Sequence, residues 1–201
     1  MAISTGTACR PAGLRAYRAL AAGSDLAGRI QVIFLAGRDP RLLRRARRVA
    51  PPFPTAVLPW RDDPETILAA ADVLFTKPGG LTVTEALAAG VPLLLDACGG
   101  IMPQERGGAN WVAGRGAGWI VDDPMAVPAL LRRLRPGEWE EARQRARASV
   151  RGDAGAVLEV IEAVMGSPAR AAQPLARPAG AAGLAAEPAL RGGREAWPPS
   201  L

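Results

Sequence analysis

The stretch from Asp72 to Leu95 leaves the chain few ways to fold. Val73-Leu74-Phe75-Thr76 is a short, apolar, β-prone run, and Lys77-Pro78-Gly79-Gly80 follows it as a turn. Leu81 to Ala89 is rich in helix formers and stops at Gly90, after which Val91-Pro92 leads into a second β-prone run, Leu93 to Leu95. Strand, glycine turn, helix and strand in so little chain make a crossover unit with parallel strands. In such a unit the N–H groups of the first helical turn point back over the strand's carboxyl end, where the helix dipole favours an anion. Gly79 and Gly80 place no side chain between a ligand and the backbone. Glu85 lies one turn into the helix, within reach of sugar hydroxyls on a ligand whose phosphates rest on the turn. The stretch has the chemistry of a nucleotide-sugar cradle.

The flanking sequence repeats the pattern. Residues 2 to 5 read as the stub of a first strand, Thr5-Gly6-Thr7 as the loop after it, and Pro11 to Ala22 as a helix opened by proline. Arg29 to Ala36 is a strand whose unbroken run Val32-Ile33-Phe34-Leu35 suits burial on both faces. Pro40 to Val49 is a helix with its leucines turned inward, and Thr55 to Leu58 is the third strand. Asp63-Pro64 caps and opens a short helix reaching Ala71. Beyond Leu95, the loop from Asp96 to Pro103 precedes a helix over Glu105 to Arg115 and a sixth strand over Trp119 to Val121. Helices follow from Asp123-Pro124 to about Leu134, over Gly137 to Arg151 and over Asp153 to Met165. We therefore expect an α/β domain over residues 1–166, a doubly wound, parallel, Rossmann-like sheet of about six strands. Residues 167–201, rich in Ala, Pro, Gly and Arg without periodicity, read as a disordered tail. The usual strand order, 3-2-1-4-5-6, puts the switch point between strands one and four. Thr5-Gly6-Thr7 and Lys77-Pro78-Gly79-Gly80 are the loops placed there.

Composition removes several functional classes. Of 25 basic residues one is lysine, and the arginine excess runs alongside Ala, Gly and Pro, so the net charge of +6 is weak grounds for nucleic acid binding. Cys9 and Cys98 are too few for a disulfide framework, which fits a reducing cytoplasm. No segment has the length and continuity of a membrane span, so the chain reads as cytoplasmic or peripheral. There is no Gly-Lys dipeptide of a phosphate-binding P-loop, and Gly114-Arg115-Gly116-Ala117-Gly118 falls between helix and strand, the wrong place for a dinucleotide fingerprint. Asp62-Asp63 and Asp122-Asp123 each precede proline at a helix start, which favours capping over a metal site. The helix with Arg41, Arg44, Arg45, Arg47 and Arg48 is either a solvated face or a surface for anionic lipid headgroups.

Lys77-Pro78-Gly79-Gly80-Leu81-Thr82 with Glu85, then Gly90-Val91-Pro92, Pro103-Gln104-Glu105 and Asn110, resembles the donor-binding C-terminal domain of family 28 glycosyltransferases. That family includes the N-acetylglucosaminyltransferase forming lipid II and the diacylglycerol galactosyl- and glucosyltransferases. The resemblance is good over residues 28 to 125. It implies half of a GT-B fold that binds a UDP-sugar as donor substrate, with no cofactor and no metal. By the same resemblance Glu85 contacts the ribose hydroxyls, Gln104 and Glu105 touch the donor sugar, and Asn110 shares their helix face. The spacing from Gln104 to Asn110 is longer than the family's. Lys77, the chain's one lysine, is placed to offset diphosphate charge. Trp60, after the third strand, lies where the family closes a loop over the uracil, or else packs internally.

Inverting glycosyl transfer needs a base for the acceptor's proton and a site that stabilises the departing nucleoside diphosphate. The chain has no histidine, and no carboxylate stands out as the base, so we expect no catalytic residue within it. In the family the acceptor site belongs to an N-terminal half. Three expectations remain open: a fragment; one subunit of a split transferase acting with a separate acceptor-binding subunit on a lipid or lipid-linked acceptor; or a module that holds a uridine nucleotide without transfer.

Overall fold

The computed structural model describes residues 1–4, 11–150 and 154–165. The chain divides into two compact units, 1–151 and 152–201. In the first, six parallel strands form one sheet in the order β3-β2-β1-β4-β5-β6, the order expected from the sequence. They are β1 (Ala2–Ser4), β2 (Val32–Leu35), β3 (Thr55–Leu58), β4 (Leu74–Thr76), β5 (Leu93–Asp96) and β6 (Gly118–Val121). The helices between them are α1 (Ala12–Ala21), α2 (Pro40–Arg47), α3 (Pro64–Ala69), α4 (Gly80–Ala88) and α5 (Pro103–Gly114). After β6 come a single 3-10 turn, Pro124–Ala126, and then α6 (Val127–Arg133) and α7 (Pro136–Ser149).

Side chains alternate along each strand, so the sheet builds two cores. Phe34, Phe75 and Leu94 face the core shared with α1 and α2, where Tyr17 packs 5.3 Å from the Phe34 ring. Leu74, Leu93 and Leu95 face the other, with Val83, Leu87, Ala109 and Val112 of α4 and α5. Burial on both faces is why β4 and β5 are apolar without alternation. In register, Leu74 pairs with Leu93 and Phe75 with both Ile3 and Leu94, so β1 and β5 flank β4.

Helix ends follow local chemistry. Asp39 accepts from the Arg41 amide at 2.8 Å and Asp123 from the Met125 amide at 3.0 Å, as N-caps do. Asp63 does not cap α3, contrary to expectation. Arg61 takes both its oxygens, Nε to Oδ1 and Nη2 to Oδ2, each at 2.7 Å. A bidentate guanidinium outcompetes a backbone amide for a carboxylate. α4 ends on Gly90 at φ +72°, where a Cβ would collide with the Arg147 side chain of α7. Glycine satisfies both demands there.

In the second unit, α8 (Ala154–Met165) carries exposed Leu158, Ile161, Val164 and Met165. The expected tail, 167–201, lies outside the described residues.

Candidate functional site

The sheet order reverses at β1, between β2 and β4, so the crevice above β1 and β4 is the switch point. Of the two loops expected there, Thr5-Gly6-Thr7 lies outside the described residues. The other, Lys77 to Gly80, rises from Thr76, which is buried at the end of β4. The Gly79 amide bonds back to the Lys77 carbonyl at 2.8 Å, a tight bend that turns the chain into α4.

No side chain caps α4. Its first ladder bond runs from the Val83 amide to the Gly79 carbonyl at 3.0 Å. The amides of Gly80, Leu81 and Thr82 therefore precede the ladder, and they carry the positive end of the helix dipole. Among the described residues a Cβ on Gly80 would meet nothing within 4 Å, so they leave the approach to these amides open. Leu81 projects into solvent at 76% exposure and Thr82 is half-buried. Glu85 shares the Leu81 face of α4, and side chains on a helix lean toward its N-terminus, which aims this carboxylate back at the turn. It is half-buried, and among the described residues it has no hydrogen-bond or ion-pair partner.

The second wall is α5. Glu105, Ala109 and Val112 form its inward stripe, and Glu105 reaches the Lys77 ammonium at 3.3 Å. Pro78 is buried beneath the turn. Gln104 is exposed, its amide donating to the Met102 sulfur at 3.4 Å. Asn110 is exposed on the same helix. At about 100° per residue the six steps from Gln104 leave it roughly a third of a turn away, so the two do not share a face.

Trp60 stands apart, after β3. Its indole N–H donates to Asp62 at 2.6 Å, and Arg38 lies 4.3 Å above its ring. Sequence reasoning missed this Arg38 stack. It also missed Asp96, buried at the end of β5, which accepts from the Cys98 amide at 2.9 Å and shapes the loop before α5. A charged residue closing an otherwise apolar strand was the available signal. Among the described residues, no group of three or more His, Cys, Asp or Glu side chains could hold a metal ion, and no helix is long and apolar enough to cross a membrane.

No family model matches the chain. It is 32% identical over 116 residues to the UDP-N-acetylglucosamine--N-acetylmuramyl-(pentapeptide) pyrophosphoryl-undecaprenol N-acetylglucosamine transferase of Chromobacterium violaceum, covering 55% of this chain and 32% of that protein. It is 29% identical over 110 residues to the processive diacylglycerol beta-glucosyltransferase of Staphylococcus carnosus, covering 54% of this chain and 27% of that one. Among solved structures, Acinetobacter baumannii MurG superposes with a TM-score of 0.65 at 21% identity, covering 83% of this chain and 49% of that one. WaaG, a glycosyltransferase involved in lipopolysaccharide biosynthesis, gives 0.60 at 20% identity over 83% and 47%. The chain thus spans about a third or less of the curated relatives and about half of the solved chains. It is similar to the C-terminal domain of family 28 glycosyltransferases, and its sheet is the Rossmann-like sheet of GT-B glycosyltransferases.

Proposed function

We propose that the chain is the donor-binding half of an inverting, UDP-sugar-dependent hexosyltransferase acting on a lipid or lipid-linked acceptor. The observation that carries this reading is the turn after β4: an uncapped α4 N-terminus, open at Gly80, with Glu85, which has no partner among the described residues, one turn above it. Diphosphate oxygens would accept from the amides of Gly80, Leu81 and Thr82, with Lys77 adding a compact positive charge. These groups hold negative charge where it accumulates as the sugar leaves, which is how such a site accelerates transfer. Glu85 would accept from the ribose hydroxyls, and Gln104 with the α5 N-terminus would face the sugar. Uridine specificity is inferred from the name of the first transferase above, a lipid acceptor from the names of both, and a domain extending over residues 1–166 from the sequence pattern. No cofactor enters this scheme. A separate acceptor-binding half would supply the base, and the pair would work at the cytoplasmic side of a membrane.

Calorimetric titration of the purified chain with UDP, UDP-sugars and ADP tests this reading. With half a cleft we expect a dissociation constant for UDP of about 0.1 to 1 mM, or roughly 4 to 5.5 kcal/mol, and weaker ADP. Equal affinity for UDP and ADP would refute uridine specificity.

A further inference from the structure

Gly79 and Gly80 are neighbours, yet each is glycine for its own reason. Space is open around a Cβ on Gly80, whereas one on Gly79 would lie 3.2 Å from Lys77 Cε, 3.5 Å from its Nζ and 3.7 Å from Glu105 Oε1. The Gly79 face is therefore covered by the protein's own ion pair. Lys77 belongs to the turn after β4 and Glu105 to the first turn of α5, and their side chains are only 25% and 11% exposed. Desolvating two charges is costly, and most ion pairs of this unit lie farther out in solvent. An ammonium has three N–H donors, and Glu105 uses one. The others remain for an anion seated on the α4 amides a residue or two away.

Resting on the donor-site reading above, we propose that Glu105 is a positioning residue: it holds the Lys77 ammonium across Gly79, at the mouth of α4, to meet the donor's diphosphate. Glu105 then acts on binding through Lys77 and not through the sugar hydroxyls that the family resemblance assigned to it. Simple electrostatics gives the opposite sign. A carboxylate beside a phosphate site repels the anion, so neutralising it would tighten anion binding. A positioning carboxylate, once neutralised, releases the lysine and weakens binding.

The test is calorimetric titration of the full chain with inorganic pyrophosphate, UDP, a UDP-sugar and ADP, using wild type, Lys77→Met, Glu105→Gln and the double variant, with a thermal melt of each. We expect Lys77→Met to weaken pyrophosphate binding by about tenfold, the scale of one charged hydrogen bond. Glu105→Gln should weaken it by about threefold, and the double variant should be no worse than Lys77→Met alone, because coupled residues are not additive. Glu105→Asp, which keeps the charge but draws it back from Lys77, should lose affinity in the same direction and covers the case in which the Gln variant fails to fold. Unchanged or tighter pyrophosphate binding by folded Glu105 variants overturns the inference, as do additive losses in the double variant. A loss confined to the UDP-sugar, with pyrophosphate intact, assigns Glu105 to the sugar and also overturns it. Wild type that does not bind pyrophosphate removes the anion site altogether. If the variants behave as expected but ADP binds as well as UDP, the positioning role stands and the uridine reading falls.

Discussion

The turn after β3 and the turn after β4 are built to one plan and finished differently. Each leaves the carboxyl end of a parallel strand and enters a short helix through proline or glycine. After β3 the polar groups consume one another: the Trp60 indole binds Asp62, Arg61 grips Asp63, and Arg38 covers the Trp60 ring. After β4 the α4 amides face open space at Gly80, and Glu85 above them has no partner among the described residues. Buried or clustered polar groups are normally satisfied. A turn that leaves amides and a carboxylate uncommitted, at the switch point of the sheet, is where a ligand belongs. The β3 turn is richer in charge, and although α3 also opens without a side-chain cap, the turn's polar and charged side chains are already paired with one another.

Substitutions separate the two turns by size of effect. The largest strikes the platform beneath the β4 turn: Phe75→Ala empties a fully buried site in β4 and should lower unfolding free energy in urea by about 3 to 5 kcal/mol. A loss below about 1 kcal/mol would mean Phe75 is not packed in the core shared with α1 and α2 as described. Next, Gly80→Val puts a branched side chain where space is now open, and should weaken UDP binding by about tenfold or more while the melting temperature holds. Undiminished UDP binding would move the ligand off this turn. Glu85→Ala should cost at least about 1 kcal/mol of nucleotide affinity by calorimetry, the scale of a hydrogen bond to a charged group. The counterpart at β3 is the smallest. Asp63→Asn should leave UDP binding unchanged and remove only a stabilisation that wild type has at neutral pH and loses in acid. Hydrogen bonding from Arg61 holds the Asp63 carboxyl below its ordinary value of 3.8. A depressed folded value means that the stabilisation is present above that pH and is lost as pH falls through the lowered value. A pH series of thermal melts should therefore show wild type and Asp63→Asn differing at neutral pH and converging in acid; divergence in acid would contradict the sign.

Much of this was legible in the sequence because the decisive signals are local. The apolar run Leu93 to Leu95 announced a strand buried on both faces, whereas in Val32 to Leu35 only Val32 and Phe34 are fully buried, and the alternation of such runs with helices pointed to a parallel sheet to which the usual doubly wound order applies. Pro78-Gly79-Gly80 announced a bare turn for the same reason. What escaped depends on groups brought together by the fold. Lys77 and Glu105 lie 28 residues apart and meet only because β4 and β5 are neighbours. The reason for glycine at Gly79 was hidden with them, since steric access and an overlying ion pair ask for one residue type. Gly90 read as a helix stop, but the Arg147 side chain over it comes from α7. Asp63 failed as a cap through a competition that two-residue spacing alone does not settle.

The most direct test of the contrast between the turns is a 15N–1H correlation spectrum of the chain titrated with UDP. We predict that the amides of Gly80, Leu81, Thr82 and Glu85 shift progressively with nucleotide, while those of Arg61, Asp62, Asp63 and Glu65 after β3 stay in place. Shifts concentrated at the β3 turn, or none at the amides that open α4, would contradict the account.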